Sequence, residues 1–205
     1  MTGPRVVVLD YGSGNLRSAE RALERAGADV TVTPDLDLAS RADGLVVPGV
    51  GAFAAVMAGI DGIGAGPVIT DRVRAGSPVL GICVGMQVMF DGGDEHGVVT
   101  KGLGLVPGTV SLLNAPVVPH MGWNTVEWPA ESRFGAGVAG DTRFYFVHSY
   151  AARPIPGVPG AAVTTHGEPF VAAFESGSLW ATQFHPEKSG DAGARILKNW
   201  VDSLG

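Results

Sequence analysis

The chain's single cysteine, Cys83, stands between two glycines in Gly81-Ile82-Cys83-Val84-Gly85, and His185-Pro186-Glu187 follows far downstream. A thiol is a strong nucleophile once a neighbouring base takes its proton and a third group orients that base. In extended backbone, positions two apart face the same side, and Pro186 holds its own φ near the extended range. Glu187 then reaches one imidazole nitrogen of His185 and leaves the other for Cys83. The carboxylate fixes the tautomer and favours the imidazolium formed when the thiol gives up its proton. Taken singly, each segment also fits a plainer role: an isolated cysteine is commonly a buried packing residue, and a His-Pro turn with a solvated Glu is common at surfaces. Taken together, they predict a Cys83–His185–Glu187 triad.

Such a triad needs elements that hold it. Gly81-x-Cys83-x-Gly85 has the form of a nucleophile elbow, a sharp strand-to-helix turn whose glycines let strand and helix approach closely. A cysteine at the start of the following helix meets unpaired N–H groups and the positive end of the helix dipole, which favour thiolate. The Val84 N–H is then aimed at an oxyanion formed on a substrate carbonyl. Upstream, apolar runs at residues 5–9, 29–33, 44–47 and 78–82 read as buried strands. Residues 15–26 read as a helix through Leu16, Ala19, Ala22, Leu23 and Ala26, and residues 84–90 as the helix after the elbow. A helix after Ala52 is weakly patterned because Gly59, Gly62, Gly64 and Gly66 interrupt it, and Pro67 opens a short helix through Val73.

Apolar strands separated by helices imply an α/β fold with a parallel sheet covered on both faces, its sites at the carboxyl ends of the strands. Residues 10–15, residues 48–51 and Cys83 all fall at such ends. The second half carries strand signals at 105–113, 125–128, 144–147, 161–165, 171–175 and 179–184, then a closing helix at 192–204. With no repeat and no linker, residues 1–205 are expected to form a single mixed-sheet domain.

Composition narrows the partners. Fourteen basic against twenty acidic residues give a formal charge of −6 without a basic cluster, which argues against nucleic acid and anionic membranes. One cysteine excludes an internal disulfide and fits a reducing compartment. The N-terminus runs into the strand at residues 5–9 without a long apolar stretch, so a cytoplasmic protein is expected, with no metal and no cofactor.

Gly81-Ile82-Cys83-Val84-Gly85-Met86-Gln87 with Phe184-His185-Pro186-Glu187 resembles the class I glutamine amidotransferases, and the resemblance covers nearly the whole chain. Within that class, five further runs resemble the glutaminase subunits of imidazole glycerol phosphate synthases. They are Asp10-Tyr11-Gly12-Ser13-Gly14-Asn15, Pro48-Gly49-Val50-Gly51-Ala52-Phe53, Lys101-Gly102-Leu103-Gly104-Leu105, Pro119-His120-Met121-Gly122-Trp123-Asn124 and Tyr145-Phe146-Val147-His148-Ser149-Tyr150. The resemblance implies a single-domain, flavodoxin-like mixed sheet flanked by helices and a cysteinyl thioester formed on L-glutamine. It further implies an oxyanion hole from the Val84 N–H and an N–H of Gly49, Val50 or Gly51, and glutamine contacts from Gln87, Glu95, His148, Ser149 and Tyr150. By the same resemblance, Asn15, Trp123, Tyr145 and Lys188 meet a TIM-type barrel cyclase in a heterodimer, which takes the ammonia for imidazole glycerol phosphate formation in histidine biosynthesis. Another synthase of the same class or a stand-alone cysteine hydrolase is the alternative. Val117-Val118 depart from the family, which often has a basic residue there.

Overall fold

The computed structural model describes residues 3–154, 158 and 160–205. Strand β1 (Arg5–Leu9) leads through α1 (Leu16–Arg25) to β2 (Asp29–Thr33), and α2 (Leu36–Arg41) precedes β3 (Gly44–Gly49). Helices α3 (Phe53–Gly62) and α4 (Ala65–Arg74) return the chain to β4 (Val79–Cys83), which runs into the single turn α5 (Val84–Gln87). The second half adds β5 (Phe90–Glu95), β6 (Val98–Lys101), β7 (Val106–Leu112), β8 (His120–Thr125) and β9 (Arg143–His148). Then come β10 (Tyr150–Ala152), β11 (Ala162–His166), β12 (Glu168–Ser176), β13 (Leu179–Thr182) and the closing α6 (Gly190–Asp202).

Seven strands form the central sheet in the order β11-β12-β13-β4-β3-β1-β2. The five from β13 to β2 pair in parallel, and β12 and β11 add antiparallel pairings. Leu45, Val46, Val47, Val79 and Leu80 are completely buried, as strands covered on both faces must be. The order β2-β1-β3-β4-β13 is that of a flavodoxin-like doubly wound sheet, whose ligand crevice opens at the carboxyl ends of the strands. Those ends bring residues 10–15, 48–51, Cys83 and 183–187 to one edge of the sheet.

The structure corrects the sequence reading at four places. The second half does not join one mixed sheet: β5, β6, β7 and β10 form a separate four-stranded sheet, and β8 with β9 a two-stranded ribbon. The helix expected over 84–90 stops after one turn, because Phe90 begins β5. The strand expected at 125–128 lies upstream as β8, and Glu127 makes only an isolated bridge to Val163. Helix α2 went unread because six residues carry little periodicity. It forms because the Asp35 side chain caps the N–H groups of Asp37 and Leu38 at 2.8 and 3.0 Å. At its other end the buried Arg72 guanidinium donates to the carbonyls of Ala39, Ser40 and Ala42. The glycine-rich stretch is ordered as two helices: Gly64 turns the chain at φ +71, and a Cβ at Gly59 would lie 2.8 Å from the Tyr11 ring. Among the described residues, no single helix is long and apolar enough to cross a membrane.

Candidate active site

Cys83 ends β4 at φ 56 and ψ −114, a conformation that costs a residue with a Cβ and marks strain. The glycines around it are required by space. A Cβ on Gly85 would sit 1.9 Å from the Val47 carbonyl oxygen, one on Gly81 2.8 Å from the Gly85 carbonyl oxygen, and one on Gly49 2.4 Å from the Gly85 nitrogen. The elbow is therefore a three-way backbone contact of β3, β4 and α5. Because α5 is one turn long, its dipole gives the sulfur less than the longer expected helix would have given.

His185 Nδ1 lies 2.8 Å from Glu187 Oε1, with both side chains only 3% exposed. The geometry differs from the expected extended run. His185 is extended at φ −98 and ψ 96, but residues Pro186–Lys188 form a 3-10 turn, and it is the turn that swings Glu187 back onto the ring. Hydrogen bonds pin the histidine backbone: its N–H donates to the Tyr145 carbonyl at 2.9 Å, and its carbonyl accepts from the Lys188 N–H at 3.0 Å and from Ser189 Oγ at 2.7 Å, a hydroxyl that in turn accepts from the Tyr145 N–H at 2.9 Å. Burial disfavours the charged ring, but hydrogen bonds to Cys83 and Glu187 and their negative charges outweigh it and raise the His185 pKa to about 9. Glu187 Oε2 is buried without a partner among the described residues, so His185 is the carboxylate's main compensation.

Cys83 and His185 line one cavity of about 500 Å³. Val50, Gly51, Val84, Gln87, Glu95, His148, Ser149 and Tyr150 share its wall, so most of the expected glutamine-binding and oxyanion residues are brought together. Gly49 is not in that wall; it lies behind it, lining a small void with Asn15, His185 and Glu187. Two expected ligand contacts are already partly engaged. Gln87 Nε2 donates to the Tyr150 carbonyl at 2.8 Å and to Gln183 Oε1 at 2.9 Å, which leaves its oxygen for a ligand. Glu95 Oε2 accepts the Phe53 N–H at 2.7 Å and caps α3, which leaves its other oxygen for an ammonium group. Sequence reasoning missed Gln183, although it immediately precedes the Phe-His-Pro-Glu run; its Nε2 donates to Cys83 Sγ at 3.7 Å. It also gave no role to Tyr11 and Ser13, whose hydroxyls donate to the carbonyls of Pro48 and Val50, respectively. Burial and the Cys83 charge push the Tyr11 hydroxyl pKa upward, so it stays protonated and a donor. Among the described residues no cluster of His, Cys, Asp and Glu is placed to hold a metal.

Of the expected docking residues, Trp123 and Tyr145 are cross-strand partners in the β8–β9 ribbon, their ring centroids 5.9 Å apart. Trp123 is 53% exposed and Met121 66%. Tyr145 is the residue whose carbonyl holds His185, so the ribbon is tied directly to the His185–Glu187 pair. Lys188 is exposed at the cavity wall. Exposed Val50, Leu112 and Val118 also line the cavity, and with exposed Val117, Met121 and Trp123 they give this side of the molecule an apolar surface.

A buried His–Glu pair facing a strained cysteine on a parallel-sheet elbow is an arrangement that hydrolytic and acyl-transfer chemistry can use. The chain belongs to the class I glutamine amidotransferases: the model of the family described as glutamine amidotransferase class-I matches residues 7–204. It is 62% identical over 206 residues to imidazole glycerol phosphate synthase subunit HisH of Mycobacterium bovis, covering 100% of both chains. It is 60% identical over 209 residues to the HisH subunit of Thermobifida fusca, covering 98% of this chain and 99% of that one. Among solved structures, PurLQS from Thermotoga maritima superposes with a TM-score of 0.74 at 20% identity, covering 99% of this chain and 100% of that one. A structure described as a glutamine amidotransferase gives 0.74 at 19% identity, with 98% of each chain covered. Both share the fold.

Proposed function

We propose that this chain is the glutaminase subunit of an imidazole glycerol phosphate synthase, folded as one domain over residues 1–205 and working in the cytoplasm without a cofactor. The observation that carries it is the strained Cys83 facing the buried His185–Glu187 pair across one cavity. Relatives of the same length, about 60% identical, bear the HisH name.

On this reading Cys83 attacks the side-chain amide carbon of L-glutamine. His185 holds the proton that the thiol gives up, as the imidazolium beside the thiolate, and passes it to the departing ammonia, leaving a thioester. His185 then activates a water, which releases glutamate and restores the thiol, while Glu187 holds the ring. The free oxygen of Glu95 takes the α-ammonium of glutamine, Gln87 Oε1 accepts from it, and residues 148–150 take the α-carboxylate.

The register of β3 on β4 bears on the oxyanion hole. In a parallel ladder the groups facing a neighbour alternate residue by residue, and Pro48 has no N–H to give. Ile82, opposite Pro48, therefore presents its own N–H and carbonyl to β3, and Val84 is the next residue to do so. The group opposite the Val84 N–H is then the Gly49 carbonyl, an acceptor where an oxyanion needs donors. Rotating the Gly49–Val50 peptide replaces that carbonyl with the Val50 N–H and completes the hole. A missing donor of this kind costs about a hundred- to a thousandfold in rate.

Ammonia released into neutral water is mostly protonated and no longer nucleophilic, which is the chemical reason for a partner. The apolar surface around the cavity supports docking of a TIM-type barrel cyclase through Asn15, Trp123, Tyr145 and Lys188. Assay of glutamine hydrolysis by the chain alone and with the cyclase subunit tests this. Turnover should rise about a hundredfold or more with the cyclase and its acceptor substrate; strong hydrolysis by the chain alone, unchanged by the cyclase, would favour a stand-alone hydrolase.

A further inference from the structure

Between the triad and the exposed β8–β9 ribbon runs a buried polar array of which the mechanism above uses only the Gln87 amide oxygen and residues 148–150. Its directions follow from its two ends. Asn124 Oδ1 accepts from the Thr125 N–H at 2.9 Å, so Nδ2 is the donor, to the Thr165 carbonyl at 3.0 Å and to His120 Nε2 at 3.4 Å. His120 Nε2 is thus an acceptor, and its proton sits on Nδ1, 3.1 Å from His148 Nε2. At the other end the Tyr150 carbonyl can only accept, so His148 Nδ1, 2.9 Å away, carries a proton. Both ends give one answer: two neutral rings, each protonated on Nδ1. Burial supports neutrality, lowering the His148 pKa to about 3 and, with His166 stacked on it, that of His120 to about 4.

The Tyr150 carbonyl also accepts from Gln87 Nε2, which in turn donates to Gln183 Oε1. That fixes the Gln183 amide with its oxygen toward Gln87 and its nitrogen toward Cys83 Sγ, at 3.7 Å. Gln183 is completely buried, so turning its amide would leave a buried Gln87 N–H facing an N–H. Of the other titratable groups, His185, after β13, and Tyr11, after β1, bear on the sulfur, and Glu95, His96, His148 and Lys188 line the same cavity. We propose that Gln183 is a further catalytic residue, donating an N–H to the Cys83 thiolate, and that Gln87, His148, His120 and Asn124 are positioning residues that hold this N–H in place. The proposal rests on the reading of Cys83 as the nucleophile.

Two measurements test it. Nitrogen-15 spectra of the unsubstituted protein, with the ring signals assigned, should place the proton on Nδ1 of both His120 and His148; Nε2 protonation of either ring would overturn the array. The second is alkylation by iodoacetamide, which reads Cys83 alone because the chain has no other thiol. Gln183→Met should slow alkylation about tenfold at pH 6 yet leave it within about twofold at a pH where the sulfur is fully ionised. Equal rates for the variant and the parent at pH 6, or equal slowing at both pH values, would refute the donor role. Should Gln183→Met fail to fold, Gln87→Met, which frees the Gln183 amide to turn, should show a smaller loss of the same pattern, and no loss would refute the positioning. A Cys83 unreactive at every pH in the parent would instead defeat the nucleophile assignment, and this proposal with it.

Discussion

At the residue scale, the Cys83 site combines two buried charges that stabilise one another. Glu187 has one oxygen on His185 and the other without a partner among the described residues, so it stabilises the fold most while the ring is an imidazolium. The sign of the pH dependence follows. The His185 pKa, near 6.5 in an unfolded chain, is raised to about 9 in the fold, so its stabilisation is fully present below about pH 6.5 and is lost as pH rises through about 9. Glu187→Ala should therefore lower the urea midpoint at pH 6 and leave it nearly unchanged at pH 9.5. Equal loss at both would mean that the carboxylate is not paired with a charged ring. In turnover, the same variant should keep a fraction of the glutaminase rate, because in the proposed mechanism Glu187 orients His185 and does not itself react.

At the element scale, the elbow is built from absent side chains. Gly85→Ala would drive a Cβ into the Val47 carbonyl, and the backbone of β3 and α5 has no room to yield. It should cost about 3 kcal/mol. Gly62→Ala in α3 is the control, since a Cβ there meets nothing within 4 Å, and it should be neutral or stabilising by about 0.5–1 kcal/mol. Thermal melts of the two variants check this; a tolerated Gly85→Ala would contradict the close packing described. The contrast also shows what was legible beforehand. The strands β1, β3 and β4 stood out because buried parallel strands are written as apolar runs, edge strand β2 by its alternating valines, and Cys83 because glycine flanks it. Helix α2 did not, since an Asp35 cap and a distant Arg72 make it, not an amphipathic stripe. Nor did the division of the second half into three sheets, because pairing partners such as β5 with β7 are chosen by tertiary contacts that no local pattern records. Gln183 and Ser13 were on the page as letters, but their roles come from through-space bonds to Cys83 and to the Val50 carbonyl.

At the scale of the whole molecule, exposed Val50, Leu112 and Val118 stand in the wall of the cavity that holds Cys83 and His185, and the β8–β9 ribbon carries exposed Met121 and Trp123. Trp123 packs on Tyr145, and the Tyr145 carbonyl holds His185, so a partner pressing on the ribbon would act one hydrogen bond from the proposed base. The Tyr11 and Ser13 hydroxyls hold the carbonyls on either side of the Gly49–Val50 peptide, which leaves that peptide as the movable unit between two fixed ones. These features suit a glutaminase that is switched on where its ammonia is used. The most direct test is a synthesis assay on the complex of Cys83→Ala with the cyclase subunit, supplied in turn with glutamine and with ammonium salt at high pH. Glutamine-dependent synthesis should be nearly abolished while ammonia-dependent synthesis stays at the level of the unsubstituted complex. Equal loss of both activities, or full retention of the glutamine-dependent one, would contradict the account.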